Sequence, residues 1–238
     1  MQRALRAGVR TMLLPNIDET SLEPMLAMCT RYPEACKPML GLHPGSVDDY
    51  IPDFLHRFDS LLTENHFIAI GECGLDLFWR KDNLSLQQEV LLEQCILALH
   101  HDLPVVLHSR DAFFETLAIV EKANGMVPGK TLRGVFHCFT GTSEQAALAV
   151  ELGFYLGIGG VITYKNATLK NHIPDIEPER LLLETDAPYL PPVPYRGKRN
   201  ESAYLLEIVN TLAQILRQPA HQVAALTTQN ASTLFSCP

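Results

Sequence analysis

Short apolar runs alternate along the chain with longer segments whose apolar residues recur at helical spacing. Runs rich in valine, isoleucine and leucine predict buried strands. Seven such runs span residues 11–14, 38–42, 67–71, 104–107, 134–136, 154–158 and 181–184. Because strands and helices alternate, the pattern predicts an α/β fold built on a parallel sheet.

Capping residues mark three of the predicted helices. A hydroxyl residue followed three positions later by glutamine indicates a capping box, and a glycine or a following proline favours the end of a helix. The predicted starts are Ser85 with Gln88, Thr142 with Gln145, and Asn200, and the predicted ends of the last two helices are Gly153 and Arg217. These helices would connect successive parallel strands.

Acidic or imidazole side chains stand at the ends of four predicted strands, and they are Glu72, His108, His137 and Asp186. A β/α barrel places its catalytic residues at the carboxyl ends of its strands. Carboxylates and imidazoles are also good ligands for divalent cations. The pattern therefore predicts a TIM-like (β/α) barrel, formed as a single domain by residues 1–238, that acts as a metal-dependent hydrolase.

The seven predicted strands are one fewer than a closed barrel needs. Residues 1–9 resemble the body of a helix that runs into Gly8 with no capping residue before it. We therefore expect this chain to lack the first strand of the barrel. A naturally short first helix is the alternative.

Composition limits the range of partners. The net charge of -8 and the pI near 5.6 argue against a broad basic surface for nucleic acid or anionic lipid. They do not exclude a nuclease, because bound divalent cations supply local positive charge. The six cysteines form no C-x-x-C pair, and the longest apolar stretch is too short to span a bilayer. We expect reduced thiols, a cytoplasmic location and no membrane partner.

Six short motifs, in a fixed order along the chain, carry a family resemblance. Residues 41–44 read Gly-Leu-His-Pro, 71–76 Gly-Glu-Cys-Gly-Leu-Asp, 108–111 His-Ser-Arg-Asp, 137–141 His-Cys-Phe-Thr-Gly, 184–190 Glu-Thr-Asp-Ala-Pro-Tyr-Leu, and 194–198 Pro-Tyr-Arg-Gly-Lys. The set resembles the TatD family of metal-dependent hydrolases, which are amidohydrolase-like barrels. The resemblance covers nearly the whole chain and preserves the spacing of the motifs.

The resemblance implies a site for a pair of divalent cations, which could be Mg²⁺, Mn²⁺ or Zn²⁺. Glu72 would bridge both cations, and His108 and His137 would complete the coordination of one. Asp186 would bind the other and orient or deprotonate the attacking water, so Glu72 and Asp186 are the predicted catalytic residues. Coordination lowers the pKa of water from about 15.7 toward about 7, which provides hydroxide at neutral pH.

The family's remaining ligands are a His-x-His pair at the end of the first strand, and this sequence contains no His-x-His. One cation site would then be nearly complete, whereas the other would keep only Glu72 and Asp186. A start-site error, a trimmed chain and genuine degeneration would all give this sequence.

Further residues at strand ends and in a proline-rich loop are predicted to contact substrate. They are His43, Asp76, Arg110, Tyr195, Arg196 and Lys198. Each has a structural alternative. His43 could serve packing, and Asp76 and Arg110 could form an internal salt bridge. Tyr195, Arg196 and Lys198 could belong to a solvated loop. Glu184 shares the face of Asp186 and either supports a ligand or forms an ion pair.

The resemblance, rather than the composition, implies the preferred function, which is hydrolysis of ester bonds, as a deoxyribonuclease or exonuclease that cleaves DNA phosphodiesters through metal-activated water. DNA ends or single-stranded DNA are the expected substrate, because the mouth of a barrel is too narrow for a duplex. No protein partner is predicted. A small-molecule amidohydrolase or phosphoesterase, and a catalytically impaired metal-binding protein, remain as alternatives.

Overall fold

The computed structural model describes residues 1–48 and 52–236. The chain forms two compact units, a first unit of residues 11–135 and a second unit of residues 1–10 with 136–238. The prediction of a single domain over residues 1–238 stays a prediction. No helix in the described ranges is both long and apolar enough to cross a lipid bilayer. Of the six cysteines, Cys237 lies outside the described residues.

Strands and helices alternate along most of the chain. The strands are β1 Met12–Leu14, β2 Cys36–Pro38, β3 Ile70–Asp76, β4 Val105–Arg110, β5 Gly134–Phe136, β6 Tyr155–Ile158 and β7 Leu181–Leu183. The α-helices are α1 Gln2–Arg6, α2 Glu19–Arg31, α3 Phe58–Glu64, α4 Leu84–His101, α5 Phe113–Met126, α6 Ser143–Glu151, α7 Leu205–Leu216 and α8 Ala220–Phe235. Short 3₁₀ helices fill several of the remaining connections.

The strands of the first unit run parallel to their neighbours. β1 pairs with β2 in the register that places Met12 beside Cys36. The chain after β2 continues beside the start of β3, where Gly71 N–H donates to the Leu40 carbonyl at 2.7 Å. β3 pairs with β4 so that Gly74 lies beside His108. The carboxyl ends of these strands therefore lie on one edge of the sheet.

Helix α4 covers β3 in the first unit and creates a dry core. Leu75, Leu91, Cys95, Ala98 and Leu107 are completely buried. This burial raises the pKa of the Cys95 thiol to about 12, because a thiolate would lose its hydration there. The rigid layer fixes the positions of the side chains that emerge from the ends of β3 and β4.

The second unit contains the parallel pair β6–β7, in which Leu156 lies beside Leu181. Helix α8 is attached to this pair through Asn230, whose amide donates to the carbonyls of Pro178 and Leu181 at 2.9 Å and 2.8 Å. Glu184 N–H continues the ladder beyond β7 by donating to the Ile158 carbonyl at 3.1 Å. That bond fixes the backbone from which the Glu184 side chain extends.

All seven predicted strands are present, and all except β5 have shifted ends. The largest difference is in β3, which was predicted to stop at Gly71 but continues to Asp76. Every residue of β3 is buried, including the polar ones. The prediction stopped too early because Glu72 and Asp76 break the apolar run that marks a strand.

The cap predictions had mixed outcomes. The Thr142–Gln145 capping box and the end of α6 at Gly153, which has φ +85°, are confirmed. The Ser85–Gln88 box was wrong, since the N-cap of α4 is Asn83, two residues before Ser85, and the helix begins at Leu84. The Asn200 cap was also wrong: α7 begins at Leu205, and the Asn200 amide donates to the carbonyls of Thr185 and Tyr189 instead.

Gly74 allows β3 and β4 to approach closely beside the candidate site. Its φ is +148°, and a Cβ atom there would lie 1.9 Å from the His108 carbonyl oxygen. Gly125, inside α5, has no atom within 4 Å of the corresponding position. The two glycines therefore offer a matched pair of alanine substitutions.

We expect Gly74→Ala to lower the free energy of unfolding by at least about 2 kcal/mol, because it adds backbone strain and overpacking. Gly125→Ala is expected to raise it by up to about 1 kcal/mol, because alanine restricts the unfolded chain and favours the helix. Urea unfolding of both variants measures these effects. A Gly74→Ala protein as stable as the wild type would contradict the close approach of the strands.

Candidate metal centre

The candidate centre lies along β3 and β4 in the first unit, and Glu72 and His108 stand within these strands rather than at their ends as predicted. Glu72 projects from β3, and its Oε1 atom lies 3.0 Å from Nδ1 of His108 on β4. Glu72 is only 8% exposed. A buried carboxylate beside an imidazole is a costly arrangement unless the pair is neutralised or binds a cation.

The separation of these two atoms fits a shared cation. Ligands that each bind at about 2.0–2.2 Å and subtend roughly a right angle lie about 3 Å apart. The Glu72 oxygen and the His108 nitrogen meet this condition at 3.0 Å. With His43 they also form a group whose potential ligand atoms lie within 4.8 Å of one another. The residues present therefore fit a divalent cation.

His43 joins this group as a hydrogen-bond donor rather than as a ligand. Its Nδ1 accepts the Gly45 N–H at 2.9 Å, which leaves the proton of the neutral ring on Nε2. That Nε2 faces Glu72 Oε1 at 3.5 Å. A protonated nitrogen cannot bind a metal, so His43 offers an N–H group at the edge of the centre. Its ring also contacts the His108 ring edge-on, with centroids 4.5 Å apart.

Asp76 holds the far side of the His108 ring. Its Oδ2 lies 3.0 Å from His108 Nε2, and its Oδ1 accepts the N–H groups of Phe78 and Trp79 at 2.9 Å and 3.0 Å. Burial raises the pKa of Asp76, but the bonds from His108 and the two N–H groups outweigh it, and the net pKa is lowered. A carboxylate that accepts from Nε2 leaves Nδ1 deprotonated and aimed at Glu72.

Two buried glutamines on α4 support the centre from behind, and the sequence analysis did not identify them. The Gln94 side chain both accepts from Leu42 N–H and donates to its carbonyl, which fixes the backbone just before His43. Gln87 accepts the Asp76 N–H at 2.8 Å. Both glutamines are at most 1% exposed. The sequence does contain a signal for them. The two amides lie seven positions apart, on the face of the helix where its apolar residues recur and which is therefore expected to be buried.

His137 in the second unit has a comparable partner. Its Nδ1 lies 3.2 Å from Glu184 Oε2, and the other Glu184 oxygen accepts the Cys138 N–H at 2.9 Å. Gly157 makes room for this carboxylate, because a Cβ atom there would lie 2.4 Å from Oε2. Since a carboxylate only accepts hydrogen bonds, His137 carries its proton on Nδ1 and presents Nε2 as a possible ligand. Of the two roles considered for Glu184, this contact favours support of a ligand.

Asp186 follows β7 in a tight turn. It has φ +52°, and its carbonyl accepts the Tyr189 N–H at 2.8 Å. A positive φ is uncommon for a residue other than glycine, and aspartate is among those that tolerate it best. The turn interpretation of Asp186 and its predicted catalytic role are compatible, since only backbone atoms make this bond.

Four of the six predicted substrate residues contact aromatic rings in their own units. Arg110 lies over Phe78 at 3.8 Å from the ring centroid. The Arg196 guanidinium lies over Tyr164, 4.0 Å from the ring centroid. The Tyr195 and Tyr204 rings stack with their centroids 3.8 Å apart, and Lys198 Nζ lies 5.9 Å from the Tyr195 centroid. One face of the Tyr195 ring is therefore already covered by Tyr204. The charged groups of Arg110, Arg196 and Lys198 are attracted to the aromatic rings beside them.

The structure thus brings four predicted residues together in the first unit, and they are Glu72, His108, His43 and Asp76. The second unit holds His137, Asp186, Tyr195, Arg196 and Lys198. That His137 and Asp186 bind the same cations as Glu72 stays a prediction.

The family is decided by comparison of the whole chain with known proteins. A family model described as TatD related DNase matches residues 1–236. The chain belongs to the TatD family. It is 34% identical over 236 residues to the uncharacterized metal-dependent hydrolase YabD of Bacillus subtilis, covering 99% of this chain and 91% of YabD. It is 36% identical over 239 residues to the 3'-5' ssDNA/RNA exonuclease TatD of Cronobacter sakazakii, covering 98% of this chain and 89% of that protein.

Solved structures agree with this assignment. The TatD homologue YjjV of Escherichia coli matches with a TM-score of 0.90 and 33% identity, over 100% of this chain and 90% of YjjV. A TatD family hydrolase from Entamoeba histolytica, 21% identical, shares the fold with a TM-score of 0.81, over 98% of this chain and 87% of that chain. The predicted family and the α/β barrel class are confirmed, and this TatD protein is a metal-dependent hydrolase.

Asp76→Asn tests the support of His108. We expect Mn²⁺ to bind about 10- to 100-fold more weakly, which is the usual cost of losing a partner of a metal-binding histidine. The reason is that an amide nitrogen facing Nε2 donates to it and favours the tautomer with its proton on Nδ1, the atom that faces Glu72. Calorimetric titration with Mn²⁺ measures the affinity, and ¹⁵N NMR of the imidazole reports the tautomer.

Asp82→Asn is the matched control, because the Asp82 side chain is 73% exposed and bonds only to the neighbouring Arg80 among the contacts described. It should leave Mn²⁺ affinity unchanged. Unchanged affinity in Asp76→Asn as well would show that Asp76 has no part in orienting the ligand.

Glu184→Gln tests the second histidine. The glutamine oxygen can still accept the Cys138 N–H, while its amide nitrogen donates toward His137 Nδ1. We expect His137 to change from the Nδ1-protonated to the Nε2-protonated form, which ¹⁵N NMR distinguishes directly. A spectrum with His137 unchanged would indicate that Glu184 does not set the tautomer.

Proposed function

We propose that this TatD protein is an exonuclease that hydrolyses phosphodiester bonds at the 3′ ends of single-stranded DNA or RNA, as the names of its relatives from Cronobacter sakazakii and Edwardsiella piscicida state for those proteins. The observation that carries the proposal is the series Glu72–His108–Asp76, in which two buried carboxylates each contact a half-buried imidazole at 3.0 Å, in a chain of this family. The series supplies an anionic oxygen and an oriented nitrogen to a cation.

Glu72 and His108 would hold the cation in the first unit. When bound, a divalent cation acidifies a water molecule and stabilises the charge that develops on phosphodiester oxygens. Asp76 keeps the His108 ring oriented throughout, because its other oxygen is fixed by backbone N–H groups. His43 Nε2–H, which lies 3.5 Å from Glu72 Oε1, would donate to a phosphate oxygen beside Glu72.

His137 and Asp186 complete the proposal on the basis of the family resemblance. His137, with its proton held on Nδ1 by Glu184, would contribute Nε2 as a further ligand. The Asp186 carboxylate would accept the proton of the attacking water. Proton transfer to a positioned carboxylate contributes about 10²- to 10⁴-fold to the rate.

Local rather than global charge would attract the substrate. The chain has a net charge of -8, so its overall field repels a polyanion. Arg110, Arg196 and Lys198 are nevertheless exposed and held over aromatic rings. Such cations suit a short single-stranded segment, which needs only a few phosphate contacts.

The experiment is cleavage of a 3′-labelled and a 5′-labelled oligonucleotide, each single-stranded, with Mg²⁺ or Mn²⁺ and then with EDTA. We expect the 3′ label to be released first, and chelation to abolish release. Glu72→Gln should lose more than about 100-fold in rate, since losing only a supporting partner of a ligand already costs about 10- to 100-fold.

Glu89→Gln is the control, because it removes an exposed carboxylate from α4 without touching the centre. Metal-dependent hydrolysis of small esters or amides without release of either label would favour the small-molecule hydrolase alternative. No turnover of any substrate, with Mn²⁺ still bound, would favour the impaired metal-binding protein.

A further inference from the structure

We propose that Phe78, Trp79 and Arg110 form a stacking platform that binds a nucleobase of the single-stranded substrate. This inference rests on the proposed function and adds to it a site for the base. Trp79 is 73% exposed and Phe78 is 51% exposed, although both are large apolar side chains. Exposed aromatic residues next to each other form an apolar surface that water solvates poorly, so a ligand that covers them gains free energy.

The geometry of the rings suits a planar base. The Phe78 and Trp79 rings meet at 88° with centroids 4.9 Å apart, so they expose faces in two directions. The Arg110 guanidinium lies over the Phe78 ring, 3.8 Å from its centroid, and it is 5.6 Å from the Trp79 centroid. A guanidinium stacked in this way keeps its in-plane N–H groups for a phosphate. The cluster therefore offers a face for a base and a charge for its backbone.

The platform is fixed to the candidate metal centre through Asp76. One oxygen of this carboxylate faces His108, and the other accepts the N–H groups of Phe78 and Trp79. Arg110 pairs with Asp76 in the β3–β4 register, and its carbonyl accepts the Leu77 N–H at 2.9 Å. Trp79 lies three residues after Asp76, so their Cα atoms are at most about 11 Å apart. That reach is comparable to the length of one or two nucleotides.

The chemistry favours nucleic acid over other occupants. A protein partner would need a much larger apolar patch than this cluster of side chains provides. A positive charge at the centre of the cluster matches an anionic ligand, and aromatic faces bind every base regardless of sequence. In a duplex the bases stack on one another, so only unpaired bases have faces available for the platform.

Trp79 is the sole tryptophan of the chain, which allows a direct test. Titration of the full chain with oligothymidylate in EDTA should quench its fluorescence, and the same length of duplex should not. Trp79→Ala should weaken oligonucleotide binding by roughly 5- to 100-fold, as measured by anisotropy of a labelled strand. Trp79→Phe keeps a ring and should restore most of the affinity.

Substrates with one abasic position provide the complementary measurement. At the position bound by the platform, removing the base should weaken binding to the wild type and have no further effect on Trp79→Ala. Met126→Ala is the control, because Met126 is 53% exposed at the opposite end of α5 from the β4 edge. It should leave the affinity unchanged.

The outcomes separate the platform from the nuclease. If the wild type cleaves oligonucleotides but Trp79→Ala binds them equally well, the platform is wrong and the proposed function stands. If the wild type neither binds nor cleaves them, both are wrong. A fluorescence change that duplex and single strand produce equally would also overturn the proposal of base stacking.

Discussion

Each oxygen of the Asp76 carboxylate has a separate task, and the rest of the first unit's site depends on both. Oδ2 faces the His108 ring at 3.0 Å, whereas Oδ1 accepts two consecutive backbone N–H groups. Asp76 is 3% exposed, so this carboxylate has lost nearly all of its contact with water. The hydrogen bonds that replace water must all be made together, because a buried charge with a missing partner costs about 1–3 kcal/mol or more. The orientation of the histidine and the conformation of the following turn are therefore coupled.

This coupling explains why polar residues continue inside a buried strand. β3 carries Glu72 and Asp76 on one face at a separation of four residues, which is the period-two spacing that places side chains together. His108 fits between them because Gly74 lets β4 approach closely. Gln87 then accepts a hydrogen bond from the Asp76 N–H, and Gln94 accepts one from the Leu42 N–H. The strand, its neighbour and α4 form one hydrogen-bonded support.

The sequence was sufficient to predict the strands and to select candidate site residues, because apolar runs and the groups that follow them are local patterns. It placed Glu72 and His108 at the ends of neighbouring strands, whereas the structure places both inside β3 and β4 and brings them within 3.0 Å of each other. It did not predict what each nitrogen or oxygen contacts. The Gln87 and Gln94 amides were overlooked because buried amides on a helix look like ordinary surface residues in sequence. Asn83 and Asn200 show the same limit, since their side chains bond to loop carbonyls that only the tertiary fold brings near.

An acidic protein that acts on a polyanion must gain its affinity at short range. With a net charge of -8, the chain cannot rely on long-range attraction, and phosphate contacts made through Arg110, Arg196 and Lys198 would be weakened by salt. Base stacking itself depends little on salt, because it buries aromatic surface and releases no counterions. Under the proposed function, a cation bound between Glu72 and His108 would add charge only where the scissile phosphate would lie. Affinity built from one metal centre and a few aromatic faces would then select a flexible single strand, because a duplex presents neither free bases nor a backbone that can bend into the site.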